Sequence, residues 1–217
     1  MNGDFENNSA AGNQVNLNNG SYSGIMANSF AFGSWGGGGA GGGNMDIITD
    51  NSYCGFPQNG NWHVAFTSGG TDAISLDLSA PLVMGNSYTV TFYDRACSSF
   101  VGSEIIIGVS NVNNAMGTIV YTAPIPPQTG LWNQRTFTFN APSNATFITV
   151  SCAGPVSGGI WTQFDNISFG CSAPVIDLGN DTTLCAGANL QLDIVEPGTY
   201  LWQDNSTNSS FNVTTAG

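Results

Sequence analysis

The sequence predicts an all-β protein: one β-sandwich followed by the opening of a second. Three observations carry this. Short runs that alternate apolar and polar residues recur between clusters of turn formers, the pattern of half-buried strands. No window shows a convincing helical period. The composition, 41% apolar with 11% aromatic over 217 residues, is enough to fill a real core.

The first unit is read over residues 1–170. Its strand-like runs lie at 63–66, 73–78, 87–93, 104–109, 117–121, 135–139, 146–150 and 163–169. In the third run Tyr88, Val90 and Phe92 share one face while Thr89, Thr91 and Tyr93 share the other, so one face packs and the other meets water. Met84-Gly-Asn86, Gly117, residues 124–130 and Ala141-Pro-Ser-Asn144 punctuate the runs at the spacing expected of a sandwich. The glycine stretch from Gly36 to Gly43 cannot fill a core and reads as a loop. No Gly-Lys-Ser/Thr follows it, which argues against a phosphate cradle. After Gly170 the composition turns to Asn, Thr and Ser, and Ala173-Pro174 marks a linker over 171–175. Residues 176–217 open a second unit at Leu178-Gly-Asn-Asp-Thr-Thr-Leu-Cys185 that stops in mid-pattern at Gly217, as in a piece of a longer modular surface protein.

Charge narrows the partners. The chain has no Lys, and Arg95 and Arg135 face fourteen carboxylates for a net charge of −12. Nucleic acid and anionic membrane are disfavoured, because phosphate binding relies on clustered Lys and Arg. The acidity serves either solubility outside a cell or attraction of Ca²⁺ by grouped carboxylates. No run approaches the roughly 20 apolar residues of a membrane helix, so no membrane insertion is expected. No secretory leader is recognisable, so export would mean that one has been removed or that Met1 is an artificial start.

Cys54, Cys97, Cys152, Cys171 and Cys185 form no C-x-x-C pair, and the chain has a single His. Disulfides in an oxidising compartment are therefore expected in place of a His/Cys metal site. Spacing alone does not decide the pairing. Cys54 with Cys97 and Cys152 with Cys171 are the preferred pairs, and Cys185 is left for a partner beyond Gly217.

Catalysis finds little support. Three Glu give no recognisable acid/base pair for glycoside hydrolysis. Ser/His/Asp chemistry would rest on His63 alone, which lies in a strand-like run without a Gly-x-Ser-x-Gly elbow and reads as a packed or surface residue. The cysteines read as bridges, not nucleophiles. Binding fares better, since sugars are held by aromatic faces and by amide, hydroxyl and charged groups. Trp35, Trp132 and Trp161, each flanked by Gly or polar residues, are candidate platforms, with core packing the competing reading for each. Tyr93 and Arg95 share the face of their strand expected to meet water and could add to a concave surface.

Asn2-Gly-Asp-Phe-Glu6, Leu82-Val-Met-Gly-Asn-Ser-Tyr-Thr-Val-Thr-Phe92 and Phe164-Asp-Asn-Ile-Ser-Phe169 resemble the jelly-roll carbohydrate-binding modules with a galactose-binding-like fold, over residues 1–170. The segment from Asp177 to Gly217, with its Leu-Gly-Asn-Asp-Thr-Thr-Leu-Cys and later Tyr200-Leu-Trp202, resembles the Ig-like or PKD-like repeats of secreted adhesins and gliding-associated proteins of Bacteroidota. The resemblance implies a jelly-roll β-sandwich followed by a truncated Ig-like β-sandwich, with Trp202 packed in the latter. It also implies export by the type IX pathway through a C-terminal sorting domain outside these residues. A structural Ca²⁺ tying the first strand to the last is implied too, held by Glu6, Asp165 and carbonyl oxygens of the loop at Asn59 and Gly60. Asn59 departs from the acidic residue often found in that loop.

The expected function is recognition or adhesion, without catalysis, at a bacterial surface. The leading ligand is neutral polysaccharide. The alternative is a structural unit of an adhesin, stalk or fibre that engages other protein chains, and a third reading is the accessory module of a polysaccharide-degrading enzyme. Exposed aromatics along a groove favour sugar; flat apolar patches and an unpaired edge strand favour assembly.

Overall fold

The computed structural model describes residues 1–33, 44–51, 53–67, 72–153, 161–170, 178, 180, 182–183, 185, 187–194 and 200–214. The chain divides into two units, Met1–Cys171 and Ser172–Gly217. Trp35 and the glycine stretch after it lie outside the described residues, as do Cys171 and the linker from Ser172 to Val175.

The first unit is a jelly-roll β-sandwich of two antiparallel sheets. Its strands are β1 (Gln14–Leu17), β2 (Ser29–Ala31), β3 (Met45–Ile48), β4 (His63–Thr67), β5 (Ala73–Asp77), β6 (Ser87–Ala96), β7 (Glu104–Ser110), β8 (Thr118–Thr122), β9 (Asn133–Asn140), β10 (Phe147–Ala153) and β11 (Trp161–Gly170). One sheet has the order β1-β3-β4-β11-β6-β9 and the other β2-β5-β10-β7-β8. All eight runs read from the alternating pattern are strands. β1, β2 and β3 escaped it because they have three or four residues each, too few for alternation to register.

The sequence also hides one helix, α1 (Asn19–Ile25), whose single buried residue is Tyr22. A one-residue stripe has no period to detect. The helix starts because the Asn18 side chain accepts the Ser21 N–H at 2.8 Å, an N-cap bond that satisfies one of the free donors of the first turn.

Between the sheets lies an aromatic core. Phe164 packs against Phe92, Phe66 and Phe5 with ring centroids 5.2, 6.0 and 6.2 Å apart. The opening motif has a structural meaning here. Asn2 donates to the carbonyls of Asn7 and Ala27 and accepts the Asn7 N–H, while Phe5 fills the core. Gly3 lies against the Ile167 carbonyl, where a Cβ would collide, and its own carbonyl accepts the Ile167 N–H at 2.9 Å. The first residues are thereby fixed to the closing strand.

In the second unit β12 (Leu190–Asp193) pairs antiparallel with β13 (Ser210–Val213). Trp202 stacks on Phe211 at 5.0 Å and donates its indole N–H to the Asn208 carbonyl at 2.8 Å. It is half-buried.

Candidate functional site

Because side chains alternate along a strand, residues next to the core positions of the six-stranded sheet point to its outer face. That face has two halves. Over β3, β4 and the adjacent ends of β6 and β11 it is covered by residues 53–62, which link β3 to β4. Over the rest of β6, β9 and the end of β11 it carries half-buried and exposed residues.

The covered half is held by a staple and a polar knot. Cys54 and Cys97 form a disulfide with Cα atoms 5.5 Å apart, the pair preferred from the sequence. Beside it Ile48, Ala65 and Trp161 make a small second core. Trp161 is only 6% exposed, donates to Asp46 Oδ2 at 2.7 Å and has the rings of Tyr53 and Phe100 at 5.7 Å. A sugar cannot stack there, so the platform reading of Trp161 is corrected.

Arg95 is likewise corrected: it is 2% exposed, not solvent-facing. Its Nε donates to Gln163 Oε1, an Nη donates to the Gly55 carbonyl at 2.9 Å, and its guanidinium lies 4.1 Å from the Trp132 ring centroid. The loop from Tyr53 to Gly55 folds over it, and no local sequence signal announces a cover contributed from some 40 residues away. Burial pulls the Arg95 pKa down to about 10. His63 is fully buried against Trp132, ring centroids 5.5 Å apart, with no hydrogen-bond partner on either nitrogen among the described residues. Burial, then the Arg95 charge, lowers its pKa to about 3, so the imidazole is neutral and packed, one of the two readings open from the sequence.

Glu6 and Asp165 do converge, 159 positions apart, on the loop named for Ca²⁺. The chemistry of the meeting differs from the one implied. Glu6 Oε1 accepts the N–H groups of Asn61 and Trp62 at 2.6 and 2.8 Å, and its Oε2 accepts the Asn61 amide at 3.1 Å. Asp165 Oδ2 accepts the N–H groups of Gln58 and Asn59 at 2.8 and 3.2 Å, and Oδ1 that of Asn166 at 2.7 Å. Gly60, with φ +66°, leaves the space that the Glu6 carboxylate fills. Ca²⁺ asks for six to eight oxygens. Asn59 brings an N–H to Asp165, and each carboxylate already accepts three hydrogen bonds, so the loop is held by the chain's own donors. The result is a latch of carboxylates and backbone amides. Burial raises the Asp165 pKa to about 7, against the three N–H bonds and with the neighbouring Glu6 adding to the rise.

The open half is a strip of uncharged polar residues. Tyr93 faces Gln134, Thr91 faces Thr136 and Thr89 faces Thr138 across β6 and β9, and Ser168 of β11 faces Thr91 on the other side. The hydroxyls of Thr89 and Thr138, and of Thr91 and Thr136, are 3.0 Å apart. Trp132, half-buried, ends the strip and donates its indole N–H to the Phe56 carbonyl at 3.1 Å. From Trp132 to Thr138 the strip runs roughly 20 Å at the rise of a β-strand. Sequence reasoning placed Tyr93, Thr91 and Thr89 on this face but missed their partners, although Thr136-Phe-Thr138 repeats the Thr-x-Thr of β6.

The other cysteine pairing is also corrected. Cys152 is a free, buried thiol whose Sγ donates to the Thr67 carbonyl at 3.5 Å, and burial raises its pKa to about 12. Cys185 is free and exposed.

No protein family and no curated protein matches the chain. Solved structures do share its fold. An adhesin domain of Lys-gingipain is 14% identical with a TM-score of 0.51, over 67% of this chain and 91% of that one. A cyclase from Fischerella sp. is 16% identical with a TM-score of 0.50, over 78% of this chain and 92% of that one. A carbohydrate-binding module solved with β-1,4-galactotriose is 17% identical with a TM-score of 0.43, over 67% of this chain and 90% of that one. The first two establish a jelly-roll fold. A fold that serves an adhesin domain and a cyclase does not by itself assign a function.

Proposed function

We propose that this chain is a non-catalytic extracellular recognition module that binds neutral polysaccharide along the open strip of the six-stranded sheet. The observation that carries the reading is the strip itself, about 20 Å of hydroxyl, amide and aromatic groups without a charge. Each Thr pair uses one O–H between its members and keeps one O–H and several lone pairs for a ligand. Gln134 adds two donors and an acceptor, and Tyr93 adds a ring against which a sugar face can lie. The cations are both engaged, Arg95 beneath the loop and Arg135 on Asp94 at 2.9 Å, which leaves acidic polymers without a counter-charge.

The Cys54–Cys97 bond belongs to an oxidising compartment and supports a secreted, cell-surface setting. On this reading the second unit is an Ig-like repeat of the kind found in adhesins of Bacteroidota. His63, walled in and neutral, supports the non-catalytic reading.

A glycan array, followed by affinity electrophoresis on neutral polysaccharides at low and high salt, tests this. Binding that persists from 0.05 to about 1 M NaCl is expected, because uncharged contacts are not screened. Empty results in both assays, or binding abolished by salt, would remove the polysaccharide reading.

A further inference from the structure

Among the described residues the sandwich has four edge strands, and three are blunted. β1 has four residues with an irregular register, β2 has three residues, and β8 has five with a register shift. β9 is different. Its ladder with β6 runs unbroken over eight pairs from Ser87–Asn140 to Asp94–Asn133, and its one charge, Arg135, is tied to Asp94. Natural sheets suppress edge pairing with short strands, bulges, Pro or charges; β9 is long, unbulged and free of Pro, and the one charge it carries is neutralised by Asp94.

The free side of β9 can be read from its ladder. Ala141 donates its N–H to the Asn86 carbonyl at 2.8 Å, and hydrogen-bonded and non-bonded pairs alternate from there. Asn133, Arg135, Phe137 and Phe139 therefore turn their backbone groups to β6. Gln134, Thr136, Thr138 and Asn140 turn theirs outward, where no partner strand lies among the described residues.

We propose that β9 is the joining edge of a twofold dimer of this chain, two copies pairing antiparallel about Phe137. That axis sets Thr136 opposite Thr138 and Gln134 opposite Asn140 of the second copy, so every outward N–H and C=O of the four residues gains a partner. On the core side Arg135 meets an aromatic ring, Phe139, and no like charges face each other. An axis at Arg135 would set two guanidinium groups opposite and is disfavoured. The occupant is a second copy because the edge is its own complement in this register. The interface is isologous and closes at two, and the Thr ladder continues from one copy into the next. With −12 on each copy, screening favours association.

Analytical ultracentrifugation of the full chain tests this. A dimer that tightens as NaCl rises from 0.05 to about 0.5 M is expected. Thr136→Pro removes an outward N–H without touching a bond to β6, and Thr136→Lys places a charge on the edge. Each weakens dimerisation at least tenfold. In a Cys185→Ser background, Thr136→Cys with Thr138→Cys gives a covalent dimer on mild oxidation, since facing Cα atoms of a hydrogen-bonded pair lie about 5.5 Å apart, within disulfide reach. A monomer at every concentration, a dimer unchanged in both Thr136 variants, or failure of the double-cysteine chain to cross-link would each overturn the proposal.

Discussion

Replacing Arg95 by Ala distinguishes a buried structural knot from a ligand-binding side chain. The substitution strips the donors from the fully buried Gln163 Oε1 and from the half-buried Gly55 carbonyl, and removes the cation from the Trp132 ring. Orphaning the buried Gln163 acceptor costs about 1–3 kcal/mol, the half-buried Gly55 carbonyl about 1 kcal/mol and the lost cation–π contact about 1 kcal/mol, which together give about 3–5 kcal/mol. With a urea m-value of about 2 kcal/mol/M, the denaturation midpoint should fall by roughly 2 M. Arg95→Lys should recover less than half of this, because an ammonium cannot reproduce the planar fork that engages Gln163 and Gly55 while stacking on Trp132. Urea titrations followed by tryptophan fluorescence measure the shift. A fall below about 0.5 M for Arg95→Ala would mean that the side chain stands in solvent, as the alternation of its strand first suggested, and would refute the covered half of the site.

Four further expectations follow from the buried groups of the sandwich. The unfolded chain protonates His63 below about pH 6.5 while the folded chain resists to about pH 3, so its contribution to stability is present above 6.5 and lost as pH falls. The stability of His63→Phe relative to the parent should therefore rise by about 2–3 kcal/mol between pH 7 and 4.5, and an offset independent of pH would contradict this. If carboxylates and amides suffice for the latch, EDTA and added Ca²⁺ should leave the thermal midpoint unchanged while Glu6→Ala lowers it; a rise of several degrees with Ca²⁺ would count against the latch. Reduction of Cys54–Cys97 should cost about 4 kcal/mol by loop entropy, and Cys152 should resist iodoacetamide in the native state, as peptide mapping would report; rapid labelling of Cys152 would show the thiol to be accessible.

The central sandwich was legible because its strands are long enough to alternate. β6 and β9 show Val90, Phe92, Phe137 and Phe139 on one face and Thr on the other in the sequence itself. What was not legible depends on tertiary cover. Arg95 alternates as a solvent-facing residue, yet the chain from Tyr53 to Gly55 crosses above it and turns it into a core donor. Trp161 sits at a strand start, where a platform is plausible, and is enclosed by Tyr53, Phe100 and Asp46 from three separate segments. The convergence of Glu6 and Asp165 followed from the resemblance, but whether the loop offers them carbonyls or N–H groups depends on backbone angles that residue types do not encode, save for the positive φ at Gly60. Cys152 illustrates the same limit, since pairing is decided by distance in space.

Isothermal titration calorimetry of the full chain with a neutral polysaccharide, comparing Tyr93→Ala and Thr136→Val with Phe100→Ala, tests the central claim most directly. If the strip is the binding surface, the first two weaken binding about fivefold or more, the scale of one aromatic contact near 1 kcal/mol, and Phe100→Ala leaves it unchanged. Binding lost with Phe100→Ala but intact in Tyr93→Ala and Thr136→Val would place the ligand at the loop end of the sandwich and contradict the account.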